Sequence, residues 1–152
     1  MATGFWADPR TEPKRSFRYI LLLGGMPQWI VSKTGKPNFE VKKSEHSFLN
    51  HKFYYPGGVT WSPISVELVD PVTPDASGTL QNILRSSGYR FPTDPNDVTT
   101  ISKAAAVAAL GQVTIQQIGA EEGNVVEEWQ LVNAWISSVK YGELDYTSED
   151  LV

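Results

Sequence analysis

The sequence predicts a mainly β domain carrying one or two short helices. Ten prolines and twelve glycines are spread as punctuation between short apolar runs, the spacing of a β-rich chain. Several of those runs alternate apolar and polar residues with a period of two, as a strand with one buried face requires. A length of 152 residues with 41% hydrophobic and 20% charged side chains fits one globular domain whose core needs no metal or disulfide staple. Cysteine is absent, which excludes a disulfide scaffold, a thiolate metal site and a cysteine nucleophile together. No internal repeat or low-complexity tract interrupts the chain, so residues 1–152 read as a single domain, with 1–13 an extended N-terminal arm.

Residues 16–23, SFRYILLL, are apolar and β-prone up to Gly24 and Gly25, and Trp29, Ile30 and Val31 resume after Pro27 as a second short strand. Lys33 to Pro37 reads as a turn. From Asn38 to Lys43 the apolar Phe39 and Val41 alternate with polar neighbours. After a polar stretch, Phe53, Tyr54 and Tyr55 run up to Pro56-Gly57-Gly58, which predicts two strands joined through a long loop. The clearest strand is 61–69, with Ile64, Val66 and Leu68 on one face and Ser65 and Glu67 on the other, and Pro63 marking an edge or a start. Asp75 to Gly88 carries the main helix signal. There Asp75 or Ser77 can accept from orphan amides, Leu80, Ile83 and Leu84 form an apolar stripe, and Gly88 suits a left-handed cap. A second short helix is expected over Ser102 to Leu110, where an alanine run costs little side-chain entropy and Gly111 stops it. Residues 112–118, QVTIQQI, return to a strand. Val125 to Tyr141 fits helical spacing through Val125, Trp129, Val132, Ile136 and Val139, and strand parity through Trp129, Leu131, Trp135, Val139 and Tyr141. GAEEGN at 119–124 would make a natural hairpin loop before it.

Charge is unevenly distributed. Residues 1–60 hold nine basic and four acidic side chains, net +5, whereas 61–152 hold four basic and thirteen acidic, net −9. Pairing of the two halves within one chain is the simpler reading, and complementary patches also suit head-to-tail contact between copies. An overall charge of −4 argues against tight sequence-independent binding of DNA or RNA. MATGFWADPRTEPKR puts acids and prolines where a secretory signal needs an apolar run, and no stretch approaches the ~18 apolar residues of a membrane span.

Chemistry finds few footholds. Glu45-His46 with His51 matches no zinc spacing, and GxSxG, GxxxxGK[ST] and GxGxxG are all missing. Glu121-Glu122, Glu127-Glu128 and Glu149-Asp150 are adjacent acids, which point apart on a strand and read as solvated faces rather than an acid/base pair across a cleft. Trp6, Trp29, Trp61, Trp129 and Trp135 suit core and interface anchors better than a sugar platform, since four of them sit in or beside strand candidates. Lys33, Lys36, Lys42 and Lys43 among Phe39, Phe53, Tyr54 and Tyr55 have the makings of a single-strand groove, but lysines also protect a sheet edge.

The segment Glu45 to Pro71, EHSFLNHKFYYPGGVTWSPISVELVDP, resembles the tail tube proteins of contractile-tailed phages, in which an EH...LNH...YPG..W..I...LVDP series recurs. The resemblance extends to KPNFEV at 36–41, TISKAAAVAALGQVTIQQIG at 100–119 and VVEEWQLVNAWISSVKYGELDY at 125–146, in family order and at family-like spacing. It implies a structural virion protein with no catalysis and no cofactor. Six copies would form a ring, and rings would stack into a rigid tube inside a contractile sheath, with DNA passing through the lumen. The implied fold is a small β-barrel or sandwich flanked by a helix, whose inner sheets join around the ring, and it makes Val125 to Tyr141 a long, bulged strand or strand pair. Implied partners are further copies, the tail sheath, the baseplate hub, and the tape measure and tail terminator proteins. Passage of DNA would be transient and non-specific, with no membrane binding, and the location would be the virion tail, assembled in the host cytoplasm. Tube proteins of type VI-like and extracellular contractile injection systems share this architecture and form the nearest alternative. A β-rich carbohydrate-binding module is a third.

By the same resemblance the loop Ser44 to Pro56, with Asn50, His51, Phe53, Tyr54, Tyr55 and Pro56, is the candidate for contact between rings or subunits; ordinary barrel core is the competing place for its aromatics. Pro37, Pro63 and Pro71 would mark where strand pairing stops. Glu67, Glu127 and Glu128 are lumen-charge candidates, because negative charge lets DNA slide and alternation places each on a defined face. Relatives typically continue past a TSEDLV-like segment into a final strand, so a barrel one strand short is also an expectation at Val152.

Overall fold

In the computed structural model, which describes residues 8–9, 12–96, 98–121 and 123–152, the order is β1 (Tyr19–Leu23), a 3-10 turn (Gln28–Ile30), β2 (Val31–Thr34), β3 (Phe39–Phe48), β4 (His51–Trp61), β5 (Val66–Leu68), α1 (Ala76–Ser86), α2 (Lys103–Leu110), β6 (Val113–Ile118) and β7 (Val125–Leu131). Among the described residues the strands gather into three antiparallel sheets, β1-β6-β7, β2-β5 and β3-β4, and none closes into a barrel. The protein is therefore mainly β, with two helices, as its punctuation and period-two runs predict. No helix among the described residues is long and apolar enough to cross a membrane.

The central sheet gathers the core because cross-strand partners share a face. Leu21 lies opposite Ile115, which lies opposite Trp129, and Leu23, Val113 and Leu131 form the next row. Leu21, Val113 and Ile115 meet Ile83 of α1 and Leu110 of α2, while Val31, Ile64, Ala134 and Ile136 pack around them. The same face ends in a polar row, Tyr19, Gln117 and Glu127.

Both helices start where capping chemistry dictates. Asp75 accepts from the Gly78 amide at 3.0 Å and Ser102 from the Ala105 amide at 3.2 Å, contacts each worth about 1 kcal/mol. Asp70 reinforces α1 from outside, accepting from the Ser77 hydroxyl and from the Ala76 amide at 3.1 Å. The Ser77 hydroxyl, ahead of the Ser77 and Ala76 amides, holds the Asp70 carboxyl below its ordinary range. Gly88 follows α1 at φ +110° and Gly111 follows α2 at φ +74°, both conformations that side chains resist.

Four sequence expectations are corrected. Gln28–Ile30 is a 3-10 turn, so the second strand starts at Val31, and it runs through Lys33 and Thr34, which were expected in a turn. A non-local partner decides this: Lys33 and Thr34 pair with Glu67 and Val66 of β5. The strand expected over 61–69 shrinks to Val66–Leu68, because Pro63 has no amide hydrogen and the Ser62 amide is taken by Asn38 O at 3.0 Å. The long strand expected over 125–141 stops at Leu131, which already faces Val113, the first residue of β6; beyond it Asn133 turns to φ +54°. Finally, the long loop expected between two short strands is itself strand. β3 and β4 form a continuous hairpin turned by Leu49 and Asn50, and β4 passes straight through Pro56-Gly57-Gly58. The expected N-terminal arm, 1–13, falls largely outside the described residues, as do Trp6 and Glu122.

Candidate functional site

The β3–β4 hairpin is the most prominent surface feature. Every residue of both strands, ten in β3 and eleven in β4, is exposed. Those residues include Phe39, Phe48, Phe53, Tyr54, Tyr55 and Trp61, between 42% and 62% exposed. An isolated two-stranded ribbon is marginal in water, and exposed aromatic residues gathered on one mark a contact site. Local pairs hold its shape: Phe39 and Trp61 rings lie 5.2 Å apart, His51 packs edge-on against Phe53 at 4.6 Å, Lys43 sits 5.2 Å over the Tyr54 ring, and Lys52 pairs with Glu45 at 3.0 Å.

The contact candidates thus come together on one element, which projects as an arm. Asn50 is in its turn; His51, Phe53, Tyr54, Tyr55 and Pro56 all lie on β4. None of these aromatics is barrel core within the chain. Pro56, expected at the end of a strand, sits inside one because it faces Lys43 at a bulge: between Val41 and Lys43 the register slips by one residue of β4. Gly57 fits there since a Cβ would stand 3.0 Å from Lys42 O.

The three acid candidates are dispersed. Glu67 is exposed on β5 opposite Lys33. Glu128 is exposed on β7 and accepts from Gln116 Nε2 at 2.8 Å and Gln130 Nε2 at 2.9 Å. Glu127 points to the other face, as alternation requires, with 19% of its side chain exposed. It accepts from Lys14, from Trp129 Nε1 and from Lys36 Nζ at 3.2 Å; Lys36 also donates to Gln117 Oε1 at 2.6 Å. Lys14 first, then the Trp129 indole and Lys36, hold its carboxyl down to about 2 from 4.5. Local sequence gives no sign of this cluster, since the lysines lie 113 and 91 residues away along the chain. Beside it opens a groove of about 770 Å³ lined by Tyr19, Leu21, Val31, Ile115 and Trp129.

Because the folded Glu127 titrates below its ordinary value, its contribution to stability is complete above about pH 4.5 and is lost as the pH falls from 4.5 through 2. We expect acid unfolding of the wild type to steepen in that window and Glu127→Gln to lose that component. A carboxylate NMR titration of Glu127 with an inflection at its ordinary value would contradict this.

Charge pairing between the halves of the chain is sparse. Among the described residues, Glu127 is the only acid of 61–152 in an ion pair with a base of 1–60; the remaining bridges join Arg15 and Arg18 to Glu12 and Lys52 to Glu45. The simpler reading, internal pairing, therefore accounts for one carboxylate. No group of three or more histidine, aspartate or glutamate side chains that could hold a metal occurs among the described residues. No family model and no curated protein matches the chain.

Proposed function

We propose that the chain is the tube subunit of a contractile phage tail, a structural protein whose copies close into six-membered rings that stack around a DNA-conducting lumen. The observation that carries this reading is the arm, a long ribbon with aromatic residues on it and no core of its own. Such a ribbon gains stability by burying its faces and edges on neighbouring copies. Open sheets fit the same reading, with the barrel or sandwich completed between subunits rather than within one. The opposite net charges of the two halves supply head-to-tail complementarity, and a heterologous contact of that kind repeats along an axis. Sheath, baseplate hub, tape measure and terminator proteins would be its partners.

A tube subunit of an injection system shares every one of these features and differs in its cargo. A sugar-binding module is less well supported, since Trp29, Trp61 and Trp135 are exposed on three separate parts of the fold. Electron microscopy of the purified chain over a concentration series, with light scattering for mass, tests the proposal. The expected result is hexameric rings or stacked tubes with an open channel, shortened by high salt as ionic contacts are screened. A monomer at every concentration would count against it.

A further inference from the structure

The arm is amphipathic twice over, with its two halves in opposite phase. Near the base, the paired rows Phe39/Trp61 and Val41/Val59 make one face apolar, while Glu40 and Thr60 occupy the reverse. Toward the tip, the rows His46/Phe53 and Phe48/His51, with Tyr55 opposite Ser44, make the reverse face aromatic. Lys43, Glu45, Ser47 and Lys52 then share the first face, where the Lys43–Tyr54 and Lys52–Glu45 contacts lie. The bulge causes the inversion: β4 keeps its apolar residues on odd positions from His51 to Trp61, and one extra residue at 57–58 turns half of them over.

Two apolar patches on opposite faces cannot both be covered by a single flat partner. We infer that the arm is bivalent, its base face docking on one copy of this chain and its tip face on another. This deepens the self-assembly reading and rests on it. The chain also supplies a fitting occupant for the tip. Residues 143–151 expose Leu144, Tyr146 and Leu151 at 82% or more, interleaved with Glu143, Asp145, Glu149 and Asp150, none of which makes an ion pair among the described residues. An aromatic face flanked by Lys42, which makes no ion pair among the described residues, matches that apolar and acidic strip in both respects.

The test compares wild type, a base variant (Val41→Ser with Trp61→Ser), a tip variant (Phe53→Ser with Tyr55→Ser) and both together, by sedimentation velocity and electron microscopy. Since all four residues lie outside the buried core, each variant should keep a cooperative thermal transition of the domain body, with any loss limited to the arm and to the assembly it supports. The tip variant is expected to stop at closed rings that do not stack, the base variant to stop before ring closure, and the combination to stay monomeric. Lys42→Glu should weaken stacking, and mixing it with a Glu143→Lys, Glu149→Lys chain should restore mixed assemblies. Full-length assembly by the base variant, or the same arrested species from both variants, would overturn bivalency while leaving self-assembly intact. Failure of the charge swap with the two arrests still distinct would overturn the 143–151 strip as occupant. A monomeric wild type would overturn both readings and give the arm to a different protein.

Discussion

Leu21→Ala is expected to destabilise the fold by about 2–5 kcal/mol, the range for a large-to-small change at a site that cannot collapse. Leu21 is 2% exposed, sits opposite Ile115 on β6, and belongs to the cluster that joins the central sheet to both helices. Few residues share its burden: only eight apolar side chains are buried among the described residues. Urea unfolding followed by tryptophan fluorescence should show a lower midpoint at unchanged slope. A loss below about 1 kcal/mol would mean that the core centres elsewhere.

Gly88→Ala is the second large effect. Gly88 leaves α1 at φ +110°, and a Cβ there would stand 2.6 Å from Thr100 O and 3.5 Å from Ile101 Cα, both backbone atoms. Conformational strain alone is worth about 1–3 kcal/mol, and backbone cannot swing aside as a side chain can. Gly111→Ala provides the comparison, because Gly111 has φ +74° with nothing within 4 Å of its would-be Cβ. Thermal melts should place both variants below wild type, with Gly88→Ala the lower because it adds a backbone clash to strain. Equal midpoints would leave strain as the whole effect.

How legible this fold is depends on how local its causes are. Asp75, Ser102 and Gly111 mark the helices through contacts within four residues, so their sequence signals are sufficient. β1 and β6 are β-prone runs ended by glycines, Gly24 and Gly119, and both form strands where the sequence places them. Where pairing is non-local, the sequence says less. Lys33 and Thr34 look like turn residues until Glu67 and Val66 take them as partners, and Val125 to Tyr141 looks like one element until β6 runs out of residues to pair with. The arm was hidden for a different reason. Polar residues from Lys42 to Ser47 suggest a loop, and the bulge at 57–58 moves the odd-numbered apolar residues of β4 to the other face partway along, so no single hydrophobic side marks the ribbon. Site residues follow the same division: the six contact candidates are contiguous and fall on one element, whereas the Glu127 cluster joins three distant segments.

The Ser62–Asn38 hydrogen bond that closes the foot of the arm makes the ribbon a cassette. The chain leaves the body and re-enters it at one place, so the threading of core, helices and central sheet does not depend on what lies between. Reach can then be adjusted in steps of two cross-strand pairs, about 7 Å at a strand's rise per residue, without changing which face any existing side chain presents. One pair more or fewer would also move the turn to the opposite face. The reach of the arm is in this way a property of 23 residues, 39–61, and can change while the rest of the domain stays as it is.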